Sequence, residues 1–107
     1  MDKSEITFLK SGKELIPVKW SETGYIEGHK EYVALVTEKA KVLVYRRMKD
    51  LENLVPQYFV RVHNSFIVNL KLIVKVEGSN IILFKKEIPV TEKYKEIFWD
   101  KLKGLTV

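Results

Sequence analysis

Residues 59–69 read Phe-Val-Arg-Val-His-Asn-Ser-Phe-Ile-Val-Asn and bring together side chains suited to recognising an anion or a base edge. If the first five form a strand, alternation places Phe59, Arg61 and His63 on one face and Val60 and Val62 on the other. Val then faces inward, and Arg61 and His63 face outward as donors toward an anionic partner. Asn64 stands where the strand should turn. A carboxamide carries the donor–acceptor pair that matches an adenine edge, while imidazole or guanidinium reaches guanine or phosphate. The residue types equally allow Arg61 and His63 to pair with nearby acids, with Asn64 only turning the chain. Asn69, set among Phe66, Ile67, Val68 and Leu70, is expected to be buried and bonded to backbone. Ser65 reads as a turn or backbone partner.

Other chemistries lack their parts. With no cysteine among 107 residues, disulfide scaffolds and thiolate metal sites are excluded, which fits a reducing compartment. His29 and His63 are the only histidines, and neither has a second ligand at metal-binding spacing. The five glycines are scattered singly, unlike a phosphate-cradling loop. Ser65 lies two residues from His63, but no acid is close enough in sequence to complete a nucleophilic triad. The expectation is a protein that is not an enzyme and needs no cofactor.

The elements that must position these residues are mostly short strands. Ile6–Lys10 and Leu15–Val18 flank a Ser11-Gly12-Lys13 turn, with Pro17 suggesting an edge position. Tyr25–Glu27 and Tyr32–Val36 read as strands around the loop Gly28-His29-Lys30-Glu31, and Lys41–Tyr45 pairs back. Met48, Leu51, Leu54 and Val55 recur at helical steps until Pro56, predicting a short helix around 47–55. Strands resume at Phe59–His63, Phe66–Val68, Ile73–Val76, Ile81–Phe84 and Ile88–Val90, with a hairpin turn at Glu77–Asn80 and Lys85 and Lys86 in another turn. A last helix is predicted around 92–103, with Thr91 as N-cap, Gly104 as stop, and Tyr94, Ile97, Phe98, Leu102 and Leu105 as one apolar stripe. Trp20 and Trp99 could stack on bases, although Trp99 adjoins that stripe and suits core or rim packing. The whole reads as a single domain, 1–107, mostly β with two modest helices.

The net charge is +5, and its distribution is uneven. Residues 1–45 hold seven basic and seven acidic side chains, whereas residues 46–107 hold twelve and seven. A basic excess attracts polyanions through counterion release, although a solvated lysine-rich surface gives the same count. The longest apolar run is the five residues Tyr32–Val36, far short of a membrane span, and the start shows no secretory pattern. A cytoplasmic protein with no membrane partner is expected.

The spacing Phe59-x-Arg61-x-His63-x-Ser65-x-x-Val68-Asn69 resembles the central motif of the LytTR family of bacterial DNA-binding domains. Tyr25-Ile26-Glu27, the helix at Met48–Glu52, the strand at Ile73, and Ile88-Pro89-Val90-Thr91 before a Tyr94-containing helix fall in family order, so the resemblance runs from about Ile6 to Leu102. It implies a fold of short antiparallel strands that commonly serves as the output of a two-component response regulator. Such domains bind double-stranded promoter DNA at direct repeats, sending loops into successive major grooves and bending the duplex. The resemblance assigns base or phosphate contact to His63 and Asn64, a second contact to Lys93, and a third to the loop holding His29 and Lys30. Arg46, Arg47 and Lys49 are expected to grip phosphate, and Arg61 to contact phosphate at the edge of that surface, positioning the duplex without reading it. Arg46-Arg47 departs from the small hydroxyl N-cap usual in the family and opposes the helix dipole at about 0.3–1 kcal/mol, which a phosphate there would turn into attraction.

A first strand beginning by Ile6 leaves no room here for a phosphoacceptor receiver, which would be a partner within a longer regulator. Two rival readings of a small β fold remain. One is a single-stranded nucleic-acid binder with aromatic platforms, and the other a protein-interaction module using a strand edge near Pro17.

Overall fold

In the structure, a computed structural model that describes residues 6–107, the strands build three antiparallel sheets. The hairpin β1 (Ile6–Ser11) and β2 (Glu14–Lys19) forms the first. The central sheet has five strands: β3 (Thr23–Gly28), β4 (Val33–Thr37), β5 (Lys41–Val44), β6 (Phe59–His63) and β7 (Phe66–Asn69), in the order β5-β4-β3-β7-β6. The third sheet joins β8 (Lys75–Glu77), β9 (Asn80–Leu83) and β10 (Lys86–Pro89). Helix α1 (Met48–Leu54) separates β5 from β6, and α2 (Glu92–Lys103) follows β10. The mostly β character, the order of elements and both helix positions agree with the sequence reading.

The central sheet is buried on both faces. Ile26, Val33, Leu35, Phe59 and Ile67 meet Leu9, Val18 and Trp20 from the hairpin segment and Leu51 of α1. Tyr25, Ala34, Val36, Val60, Val62 and Val68 meet Ile81, Leu83 and Ile88 of the third sheet and Phe98 of α2. Double burial explains the unbroken Val33-Ala34-Leu35-Val36, because a strand covered on both sides needs no polar alternation. It also corrects one expectation. The face of β6 carrying Phe59, Arg61 and His63 is not the solvent side, since Phe59 is 4% exposed and α1 packs over that face. The polar residues reach the surface only where β6 runs out from under its cover.

Several local expectations change for physical reasons. Trp20 is buried, its indole N–H donating to the Thr7 hydroxyl at 2.8 Å, so it offers no platform for a base. Trp99 is 44% exposed and packs edge-on against Phe98, at the rim. The α2 stripe narrows to Tyr94, Phe98 and Leu102, because Ile97 and Leu105 point away from the sheets and are exposed. Thr91 occupies the N-cap position, yet its hydroxyl bonds the Val62 carbonyl instead of capping the helix. Gly104 ends α2 with ordinary right-handed dihedrals. Lys86 begins β10, leaving Phe84 and Lys85 as the two-residue turn after β9. Asn69 is buried as expected, donating to the Trp20 and Thr23 carbonyls and accepting from the Lys71 N–H.

That Phe84–Lys85 turn holds both residues at positive φ, 50° and 61°. An aromatic residue there is costly, and the Phe84 ring recovers part of the cost by packing against Tyr25 and the bare backbone of Gly24. A Cβ at Gly24 would overlap the Phe84 ring. Gly24→Ala is therefore expected to lower the unfolding free energy by about 1–3 kcal/mol through overpacking. Urea denaturation measures this, and an unchanged midpoint would show that the ring moves aside freely.

Candidate nucleic-acid interface

β6 is an edge strand, and its pairing with β7 slips between Arg61 and His63. The irregularity re-aims the end of the strand, as bulges at sheet edges do, so that His63 pairs with Phe66 and Asn64 and Ser65 form the turn beyond the ladder. The Ser65 N–H donates to His63 Nδ1 at 3.0 Å, fixing the imidazole against its own turn. Arg61 lies beneath, its side chain 17% exposed. Its Nη1 donates to Glu52 of α1 at 2.9 Å, its Nη2 to the Asn64 carbonyl at 2.6 Å, and its Nε to the His63 carbonyl at 3.3 Å. The guanidinium also lies 5.6 Å from the centre of the Tyr94 ring. A planar fork suits this work because one rigid group can serve several acceptors at once. The Tyr94 hydroxyl in turn donates to Asn64 Oδ1 at 3.2 Å.

Two other segments meet this tip. The Gly28 N–H donates to the Ser65 carbonyl at 2.8 Å, joining the β3–β4 loop to it. A Cβ at Gly28 would stand 2.5 Å from Met48 Cγ, so the missing side chain lets α1 begin against that loop. The His29 N–H to Tyr32 carbonyl bond closes the loop, and the His29 ring stacks on Tyr32 with centroids 4.7 Å apart. His29 Nε2 is 4.0 Å from the Glu27 carboxylate. Burial raises the Tyr25 hydroxyl above its ordinary value and the Glu27 charge adds to the rise, so this phenol stays neutral below the loop. On the other flank, the Thr91 N–H donates to the Val62 carbonyl at 3.0 Å, which sets the first turn of α2 beside the tip. Lys93 projects from that turn with its ammonium 5.4 Å from the Tyr94 ring centre.

The cations named from sequence thus divide. Lys30, Arg47, Lys49 and Lys93 are exposed and held in no ion pair among the described residues. Arg46 is shared with Asp50 at 3.8 Å. Arg61 directs its donors into the protein. Arg47 stands at the N-cap of α1 with no side-chain cap, so that helix end keeps its open N–H groups beside a positive side chain. His63 and Asn64 sit together at the tip, Lys93 joins them through Tyr94, and the loop of His29 and Lys30 joins through Gly28 and Ser65. Two participants escaped sequence reasoning, Glu52 and the Tyr94 hydroxyl. The available signal was a Tyr, not a Phe, at a buried position, since a buried phenol needs a polar partner.

No group of three or more acidic, His or Cys side chains among the described residues could hold a metal ion, and no described helix is long and apolar enough to cross a membrane. Arg61→Ala would leave the His63 and Asn64 carbonyls without their donor. We expect it to cost about 1–3 kcal/mol of stability and to speed amide exchange at Asn64 and Ser65. Arg61→Lys should recover less than half of either, because one ammonium cannot span three acceptors. Full recovery by Lys would show that charge alone holds the tip.

A search of curated proteins finds no match to this chain. Among solved structures, the chain is similar to a LytTr DNA-binding domain from Bacillus cereus, taken from a protein assigned as a methyl-accepting/DNA response regulator. The TM-score is 0.74 at 27% identity, covering 92% of this chain and 96% of that one. A family model described as the LytTr DNA-binding domain matches residues 13–103, which takes in both helices and every segment meeting at the tip. With sequence motif, topology and family model in agreement, the chain belongs to the LytTr family of DNA-binding domains.

Proposed function

We propose that this chain binds double-stranded DNA sequence-specifically and regulates transcription in the cytoplasm, as the output of a two-component response regulator whose receiver lies elsewhere. Residues 1–107 act as one DNA-binding unit, and two copies fill direct repeats in a promoter. The observation that carries this reading is the convergence of three segments at the His63–Ser65 tip, tied by the Gly28–Ser65 and Tyr94–Asn64 hydrogen bonds. Free cations ring these segments, and two of the three segments lie within residues 46–107, which carry the positive excess of the chain.

The contacts divide by role. His63, Asn64 and Lys93 approach base edges from one side, and His29 and Lys30 from the β3–β4 loop. Arg47, Lys49 and Arg46 hold phosphates, and Arg61 serves the surface by clamping the tip. A single-stranded reading needs aromatic platforms on an open sheet face, whereas both faces of the central sheet are covered. The protein-interaction reading has one observation in its favour: Phe8 and Leu15 are 63% and 65% exposed on the outer face of the β1–β2 hairpin.

Selection of bound duplexes from a random pool tests the proposal, with single-stranded competitors included. A repeated motif that single strands do not displace supports it, and an unenriched pool contradicts it. Asn64→Ala is expected to weaken binding to the selected duplex by about 1–3 kcal/mol while leaving binding to random duplex nearly intact. Equal losses on both would argue against base readout. Arg47→Ala should lower affinity on every sequence and flatten the dependence of affinity on salt. An unchanged slope would remove Arg47 from the phosphate contacts.

A further inference from the structure

The hydrogen bonds behind the tip decide which atoms are left for a ligand. A backbone N–H can only donate, so the Ser65 N–H bond requires a lone pair on His63 Nδ1. In the neutral ring the proton then sits on Nε2, and that nitrogen has no partner among the described residues. His63 therefore offers a donor outward. Asn64 is biased the same way. Its Oδ1 accepts from the Tyr94 hydroxyl, its backbone carbonyl accepts from Arg61, and its Nδ2 is unpartnered among the described residues.

The surroundings favour this orientation of the carboxamide over the reverse. The Arg61 guanidinium and the Lys93 ammonium lie 5.6 Å and 5.4 Å from the Tyr94 ring centre. Two positive groups on that ring make the phenol a better donor and repel amide hydrogens from it, so the oxygen faces inward and the NH2 outward. Lys93 itself can only donate. Three different side chains thus present donors, and the two oxygens of Asn64 and the Nδ1 of His63 are engaged within the protein.

We propose that the tip is a donor-only reading head that selects guanine in the major groove, with Tyr94 as the positioning residue that sets the polarity of Asn64. Guanine shows two acceptors there, N7 and O6, whereas adenine and cytosine each place an NH2 donor against the tip. This departs from the adenine pairing that an unconstrained asparagine would favour, because that pairing needs the carboxamide oxygen free to accept from adenine. The proposal rests on the duplex-reading function above and names the base edge it takes.

The test uses the whole chain and the duplex returned by random-pool selection. Comparing selections with wild type and Asn64→Ala identifies the base pair that Asn64 reads. At that position, guanine is expected to bind about tenfold or more tightly than adenine, and 7-deazaguanine, which lacks the N7 acceptor, should lose most of the advantage. Tyr94→Phe removes only the hydroxyl. It should shrink the guanine-over-adenine ratio severalfold, a larger change than in random-duplex affinity, whereas mere loosening of the fold would lower affinity for both bases and for random duplex alike. Adenine or cytosine preferred at that position, or a ratio indifferent to Tyr94→Phe, would overturn the donor-only polarity and leave base reading intact. Identical selections from wild type and Asn64→Ala would overturn base reading by Asn64 and this inference with it.

Discussion

The exposed tip has no core of its own, and one guanidinium links more of its surroundings than any other group there. Arg61 reaches Glu52 on α1, the carbonyls of His63 and Asn64, and the face of Tyr94 on α2. A helix before the strand, the turn after it and a helix about thirty residues downstream meet at a single planar group. Hydrogen bonds between charged and polar partners exceed neutral ones in strength, and a mostly buried fork is spared much of the screening that weakens surface pairs. Without such a clamp, the turn residues after β6 would sample many conformations and lose the entropy advantage of a preformed reading surface.

The clamp works because the scaffold beneath it is rigid. A five-stranded sheet covered on both faces leaves its end strands little freedom to bend, so β6 can end abruptly and still deliver its last residues to a fixed place. Glycine at position 28 brings α1 and the β3–β4 loop within contact of the same end. Rigid strands supply precision while the loops supply the chemistry, which divides stability from recognition.

Much of this was legible in the sequence, and the limits have physical causes. β6 was bounded correctly at Phe59–His63 because alternation and the following Asn mark it strongly, and Met48, Leu51 and Leu54 marked α1 by their spacing. Alternation could not say that α1 covers the Arg61 side, because both faces of β6 bury apolar groups and period two distinguishes faces only when one is wet. The strand expected at Ile73–Val76 begins at Lys75, after a tight turn at Leu70–Leu72 that Asn69 caps with its side chain. At the site, residue type pointed to His63, Asn64 and Lys93. The bond from Tyr94 to Asn64 spans thirty positions and leaves no local pattern. Arg61 likewise read as a phosphate ligand from its type, and only the geometry shows where its donors go.

The most direct test of a duplex-reading tip is to titrate 15N-labelled protein with an enriched duplex and follow each backbone amide. The account predicts that Gly28–Glu31, Arg46–Lys49, His63–Ser65 and Thr91–Tyr94 shift together and saturate at one stoichiometry. Changes confined to the β1–β2 hairpin or to the sheet of β8–β10, with residues 63–65 unmoved, would contradict it.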